Sequence, residues 1–556
     1  MLSENRQCQK CKSEFILDSD DFGFYEKMGV PAPQICPDCR FKLKSIWRNE
    51  TSLYSGRKCN SCGKGVVTMY NPKLPYNIFC HECYWSDTWE PRDFAKNYDK
   101  NKLFFEQLGD LLKEVPKSAT FISAGDGPSV NSDYTNMAGG MKNCYLVFNG
   151  GIGEELMYTR GVRNARETND SYFAEFVERC YECINVFKSN GLIFGRNTTD
   201  SMDSVFTLNC SGLNNCFGCV NLKNKSHHFF NEPMSPEEYR KTVNEIMGSY
   251  SKIQEFQKKF EEFSLKFPRR ENNNLKTVNS TGDFLMECKN VFNSFEVMGV
   301  EDSKNIFSAR YPSNSNGVVG YGFKSEYLLE CVAVGYSSFV IGSHSSSNSQ
   351  NIFYSFGLKN CHDCVGCDGL KNASYCILNK QYSKEEYGEL KDQIFEELRK
   401  NNQLGLMLPP ELAPFAYNET IAQDNMPLTK EEALAQGFHW EDDVQKTEGK
   451  ETLQPENILD HIKDVPDSIT KEILKCIGCN RNYKITEQEL LFYKKMILPI
   501  PRKCFYCRHY DRVVRRGPYK FWNRQCDKCQ KDIITNYAPD QPEIVYCESC
   551  YQKEVY

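Results

Sequence analysis

Sixteen of the 28 cysteines stand in eight Cys-x2-Cys pairs, four pairs at each end of a 556-residue chain. The N-terminal pairs are Cys8/Cys11, Cys36/Cys39, Cys59/Cys62 and Cys80/Cys83; the C-terminal pairs are Cys476/Cys479, Cys504/Cys507, Cys526/Cys529 and Cys547/Cys550. Two such pairs bring four thiolates to one ion, and tetrahedral thiolate coordination is zinc chemistry. Eight pairs predict about four zinc ions. Four thiolates close the coordination shell and leave no place for a reactive water, so the predicted role is structural. Joining each pair to the next along the chain is the expected arrangement, with an interleaved cross-brace as the alternative. His81, inside a pair, and His509, two residues after Cys507, are substitute ligands only where a cysteine is missing, so both read as surface residues.

The residues around the pairs say which elements hold them. Cys8/Cys11 and Cys476/Cys479 sit in short polar knuckles. Cys36/Cys39 and Cys504/Cys507 open basic, helix-compatible runs, Arg40-FKLKSIW and Arg508-HYDRVVRR. A knuckle, a spacer and a pair at a helix start form the treble-clef layout, and the positive helix end favours thiolate over thiol. The two ends are copies. At an offset of 468, Tyr25, Met28, Pro31, Pro33 and Arg40 match Tyr493, Met496, Pro499, Pro501 and Arg508. In the second sites Arg57, Lys64, Tyr70, Pro72 and Tyr84 match Arg524, Lys531, Tyr537, Pro539 and Tyr551.

The run CQKCKSEFILDSDDFGFYEKMGVPAPQICPDCR resembles the zinc-ribbon, treble-clef-like domain family. Tyr25, Gly29, Pro33, Cys36, Cys39 and Arg40 carry the likeness; the C-terminal copy departs from it at Ile497, where the first has Gly29. The whole chain also resembles cysteine-rich zinc-binding proteins of candidate-phyla bacteria, a resemblance that implies no activity.

The middle of the chain holds a second duplication. CFGCVNLKNKSHHFFNEPMSPEEY (216–239) recurs at an offset of 148 as CVGCDGLKNASYCILNKQYSKEEY (364–387). Each block ends in a capping box, Ser235-x-x-Glu238 and Ser383-x-x-Glu386, that predicts an amphipathic helix. A Lys/Gln-Asn step before a small or aliphatic residue recurs at Asn143, Asn290, Asn305, Asn351, Asn360 and Asn372. Asparagine tolerates the left-handed conformation of a corner, and the residue after it can turn inward. Short strands with asparagine corners predict a duplicated parallel β-solenoid closed by helical caps. Twelve cysteines lie here. They are read as small packing residues, with two alternatives: a further metal site at Cys361, Cys364 and Cys367 with His362, or a redox pair at Cys180/Cys183.

The predicted organisation is multidomain and mainly β. It comprises a double zinc module (1–93), a connecting helix and linker (94–130), solenoid copy 1 with its helix (131–266), copy 2 with its helix (277–400), an acidic linker (401–470) and a second double zinc module (471–556). A further short helix is expected from Thr429-x-x-Glu432 to Gly437.

Signals for catalysis are weak. GGIGEELMY (150–158) lacks a phosphate-binding Lys-Ser/Thr pair, and Asp126 and Asp203 read as turn residues. The net charge of −6 hides an asymmetry, about +2 over residues 1–100, +7 over 470–556 and −15 between. The basic C-terminal run interleaves Arg508, Arg512, Arg515, Arg516, Lys520 and Arg524 with Trp522 and other aromatics. That composition suits RNA or single-stranded DNA. The reading is therefore a zinc-dependent, non-enzymatic binding protein, its end modules contacting nucleic acid. A protein-interaction scaffold is the alternative, and an enzyme acting on carbohydrate in the solenoid groove is the least favoured. Reduced thiolates predict a cytoplasmic setting, with no membrane span.

Overall fold

The computed structural model describes residues 3–121, 127, 129–444 and 446–555; Asp126 lies outside them. The protein is mainly β, with twelve helices and two large parallel-rich sheets of 13 and 11 strands among the described residues. It divides into two compact units, each assembled from two separated stretches of chain. One unit comprises 1–119 and 272–442; the other comprises 120–271 and 443–556. Each unit thus joins one cysteine-rich end to one sheet, and the N-terminal end goes with the second sheet.

Both sheets are ladders in which the chain returns beside itself every twelve residues. Tyr145 pairs Met157, Tyr172 pairs Ile184, Val205 pairs Phe217 and Ser338 pairs Gln350, all parallel. The local rule is a period of three. From Met137 to Phe230 every third residue has positive φ, and the residue after it is generally buried. The asparagines of the Lys/Gln-Asn steps occupy these left-handed positions, with φ between 50° and 58°. Their successors Cys144, Val291, Ile306, Ile352, Cys361 and Ala373 are buried. The second ladder obeys the same rule but slips one residue near Gly322, where Val318 pairs Cys331 thirteen residues on.

Serine and cysteine at the buried positions bond to the backbone that surrounds them. Ser315 Oγ donates to the Ser313 carbonyl at 2.7 Å and accepts from the Leu328 amide at 3.1 Å. Cys331 and Cys361 each place the thiol 3.3 Å from the carbonyl two residues earlier. A small side chain that can also satisfy a buried carbonyl suits so narrow a strip.

Both predicted capping boxes form, at Ser235 and Ser383, and the one at Thr429 forms as well. The helix capped by Ser235 stops at Ile246. Gly248 takes φ 85°, Ser249 re-caps, and a second helix runs Tyr250–Ser264. Within the polar stretch 267–282, Leu275 and Val278 already pair in parallel with Met286 and Lys289. Among the described residues of the connecting helix and linker (94–130), only Phe104–Glu114 is α-helical.

In each unit a helix from the cysteine-rich end docks on its ladder through buried charge. In the first unit Arg40 and Lys44, one turn apart on the helix Pro37–Ser45, hold Glu330 at 2.7 and 2.5 Å. In the second, Arg508 and Arg512 on the helix Phe505–Arg516 each reach Asp170 Oδ1 at 2.9 Å. The offset is again 468. Both carboxylates stand at left-handed corners. Burial drives the Lys44 ammonium down from its ordinary pKa, and the Glu330 charge opposes that drift.

Two outcomes follow. Glu330→Ala leaves two cations buried without their carboxylate and lowers the stability of the first unit by about 3–5 kcal/mol, read from urea melts. Asp283 is buried under its bonds from Asn273, and burial raises its pKa to about 6. A carboxyl that keeps its proton more tightly folded than unfolded loses stability as pH rises from about 4 to about 6. Asp283→Asn removes that loss, so the variant gains about 3 kcal/mol over the wild type between pH 4 and pH 7.5. Paired melts at the two pH values measure the gap.

Candidate metal centres

Four groups of four sulfurs converge, each within 4.8 Å of one another: Cys8/Cys11/Cys36/Cys39, Cys59/Cys62/Cys80/Cys83, Cys476/Cys479/Cys504/Cys507 and Cys526/Cys529/Cys547/Cys550. The grouping is sequential, pair with next pair, and the cross-brace is not what the fold builds. The edges are 3.6 Å for Cys11–Cys36 and for Cys479–Cys504, 3.9 Å for Cys62–Cys80 and 3.7 Å for Cys529–Cys547. A tetrahedron with zinc–sulfur arms of about 2.3 Å has edges of about 3.8 Å, whereas a disulfide closes to about 2.05 Å. The sulfurs therefore fit an ion at the centre and do not fit oxidised pairs.

Local structure explains the placement. In every site the first cysteine turns back through a tight knuckle. The third cysteine opens the helix and donates its amide to the first sulfur: Cys36 to Cys8 at 3.3 Å, and Cys80 to Cys59, Cys504 to Cys476 and Cys547 to Cys526 at 3.2 Å. Such bonds favour the charged form of a ligand sulfur. Helices follow at Pro37–Ser45, His81–Trp85, Phe505–Arg516 and Glu548–Val555. Cys8, Cys59, Cys476 and Cys526 are buried, while Cys11, Cys62, Cys479 and Cys529 face solvent.

The histidines join none of these groups. His81 is exposed, as expected, and packs on Trp85; His509 is not a surface residue but is buried on Phe505, within the helix that docks on the ladder. Among the described residues the middle cysteines form no fifth group. Cys361, Cys364 and Cys367 are buried, and each points its sulfur at a carbonyl two residues back, while His362 is exposed beside Asp363. Cys180 and Cys183 are fully buried, and the neighbouring Cys183 together with burial holds the Cys180 thiol well above its usual pKa, the opposite of a reactive thiolate. Asp203 stands at a left-handed corner.

The basic C-terminal run has work inside its own unit. Arg512 is buried against Asp170, Glu182 and the Tyr158 carbonyl, and Arg508 against Asp170 and the Lys503 carbonyl. Arg515 pairs with Glu182, and Arg516 bonds Tyr172 Oη and lies 4.0 Å over the Tyr519 ring. Arg524 reaches the carbonyls of Ala538 and Glu543. Only Lys520, stacked on half-buried Trp522, turns its charge to solvent among the seven candidates. The buried carboxylates that claim the arginines escaped the sequence reading. The signal was the second cation of each helix, Lys44 matching Arg512 one turn after Arg40 and Arg508.

No family model matches this chain, and no curated protein does. Among solved structures, a likeness covering 51% of this chain and 84% of the other reaches a protein named as an acetyltransferase from Desulfovibrio desulfuricans G20, at 12% identity and a TM-score of 0.12. No helix among the described residues is long and apolar enough to cross a membrane.

Native mass spectrometry is expected to find four zinc ions per chain. Cys476→Ser lowers that count to three and loosens the second unit alone, while Cys367→Ser leaves it at four.

Proposed function

We propose that this chain is a zinc-dependent, non-enzymatic binding scaffold, in which four structural zinc modules brace two β-solenoids. The observation that carries this reading is the set of four all-cysteine tetrahedra, whose edges match the span of a four-coordinate zinc ion. A shell closed by four sulfurs offers no open position for substrate, so the metal serves the fold. Zinc bound this way contributes on the order of 10–16 kcal/mol in small finger peptides, enough to dictate whether a module folds. The twelve-residue register and the three-residue corner rule support reading both ladders as solenoids. Regular faces of that kind serve recognition in repeat proteins. The clamps on Glu330 and Asp170 support a bracing role for the modules.

Nucleic acid is the less favoured ligand, because most of the arginines that suggested it are paired within the protein. The experiment is retention of the purified chain on immobilised single-stranded RNA across a salt gradient, beside a zinc-chelation melt. The scaffold reading expects no salt-sensitive retention and the loss of both units on chelation. Retention that weakens steeply with salt and falls at least tenfold in Lys520→Glu would transfer the assignment to nucleic acid.

A further inference from the structure

The two units share one plan, and one of their differences bears on binding: a track over the docking helix is filled in one and open in the other. In the first unit the strap 404–440 lies along that track. Gly405 packs so closely on Val30 that a Cβ there would sit 3.0 Å from it. The strap helix Ile421–Asn425 packs on Pro37–Ser45, the Ile421 amide bonds the Arg48 carbonyl at 3.1 Å, and Gln436 accepts from Lys42 at 3.3 Å. At the offset of 468, Val30, Lys42 and Ile46 become Leu498, Tyr510 and Val514. These three line a cleft of about 660 Å³ in the second unit, between the helices Tyr250–Ser264 and Phe505–Arg516. Ile46 is 2% exposed; Val514 is 59% exposed and Tyr510 50%. The residues that follow copy 1 of the ladder form the helix Tyr250–Ser264 rather than a strap, and the proline-bearing stretch 453–469 of this unit packs on Gly248, Arg502 and the helix Glu487–Met496 instead.

The cleft also carries unspent polarity. Its Lys503 and Arg515 are paired with Asp511 and Glu182, and its Glu261 with Arg196. Lys258 and Arg502 have no carboxylate within salt-bridge distance among the described residues. Arg502 is 7% exposed, gives Nη2 to the Ile458 carbonyl at 2.7 Å and the Leu459 carbonyl at 3.3 Å, and lies 4.7 Å over the Tyr250 ring; among the described residues its Nη1 has no acceptor.

We infer that this cleft is a docking site for an extended, acidic, proline- and aromatic-bearing segment of another polypeptide, a ligand with the chemistry of the strap itself. The strap shows what that chemistry is: proline steps at Pro409, Pro410, Pro414 and Pro427, apolar side chains such as Leu408, Phe415 and Ile421, and five carboxylates against one lysine over 404–440. An aliphatic residue covers Val514, a polar one meets Tyr510, and a carboxylate answers Arg502 and Lys258. The chain's own strap does not fill the site, because Leu408, Phe415, Tyr417 and Ile421 are buried in the first unit. Docking of this kind uses a pre-formed groove and few anchors.

The inference rests on the scaffold reading and names its partner class. The test uses the full zinc-loaded chain and a fluorescein-labelled synthetic peptide of residues 404–440, followed by fluorescence anisotropy. Saturable binding is expected, at least tenfold weaker in Val514→Asp and weaker in Tyr510→Ala. Both side chains are exposed, so the variants fold, as an unchanged zinc count and melting point verify. Absence of saturation up to about 1 mM, the weak end of specific recognition, overturns the proposal, as does binding indifferent to Val514→Asp. Sedimentation of the chain alone decides a remaining occupant: self-association abolished by Val514→Asp would give the cleft to a second copy and overturn the proposal too. A chain that holds four zinc ions, ignores RNA and ignores the peptide fails here without failing as a scaffold.

Discussion

Two cations gripping one buried carboxylate is the constraint on which each unit depends. Arg40 and Lys44 enclose Glu330, and Arg508 and Arg512 enclose Asp170. Charges this deeply buried are tolerable only when their partners are fixed to hydrogen-bond geometry, since desolvation costs several kcal/mol per ion. Both sides of the pair must therefore be rigid. The cations are anchored beside the four-sulfur groups, because Arg40 and Arg508 each directly follow the fourth cysteine of a group, Cys39 or Cys507. The carboxylates owe their rigidity to the ladder, where neighbouring turns hold each corner. Tyr25 reinforces the first clamp by accepting from Arg40 at 3.1 Å and from Asn316 at 3.3 Å. In the second, Glu489 accepts from Tyr158 at 2.8 Å and Tyr493 at 2.6 Å and lies 3.6 Å from Arg508.

The ladder meets its own constraint through repetition. A left-handed residue every third position costs roughly 1 kcal/mol where a side chain is present, and asparagine or glycine lessens it. Phe194, Leu146 and Ile152 also adopt it, so local preference is overridden by stacking. What stacks is small and self-satisfying: Ser201 Oγ donates to the Thr199 carbonyl at 2.8 Å and accepts from the Leu213 amide twelve residues on at 3.0 Å. Cysteine serves in the same positions because it is nearly as small and tolerates burial.

Much of this was legible in residue types. Cys-x2-Cys spacing gave away the four metal groups, and the capping boxes at Ser235 and Ser383 marked both closing helices. The asparagine steps located corners, and the residue after each does turn inward. The three-residue period was hidden, because valine, cysteine, serine, threonine and glycine share the buried position and no hydropathy pattern follows. The crossing of ends was hidden too. It depends on contacts such as Lys44 to Glu330, 286 residues apart, and no local signal encodes such a partner. The arginines of 508–516 show the same gap. Their spacing beside aromatics fits a surface for phosphates, whereas Asp170 and Glu182, far away in sequence, draw them inside.

The most direct test of the coupling between metal and ladder is hydrogen exchange read by mass spectrometry before and after zinc is stripped with a chelator. The account predicts that amides of the helices Pro37–Ser45 and Phe505–Arg516 lose protection together with those of the strands Glu326–Val334 and Tyr172–Glu175, which carry or adjoin the clamped carboxylates. Ladders that keep full protection once the metal is gone would contradict it.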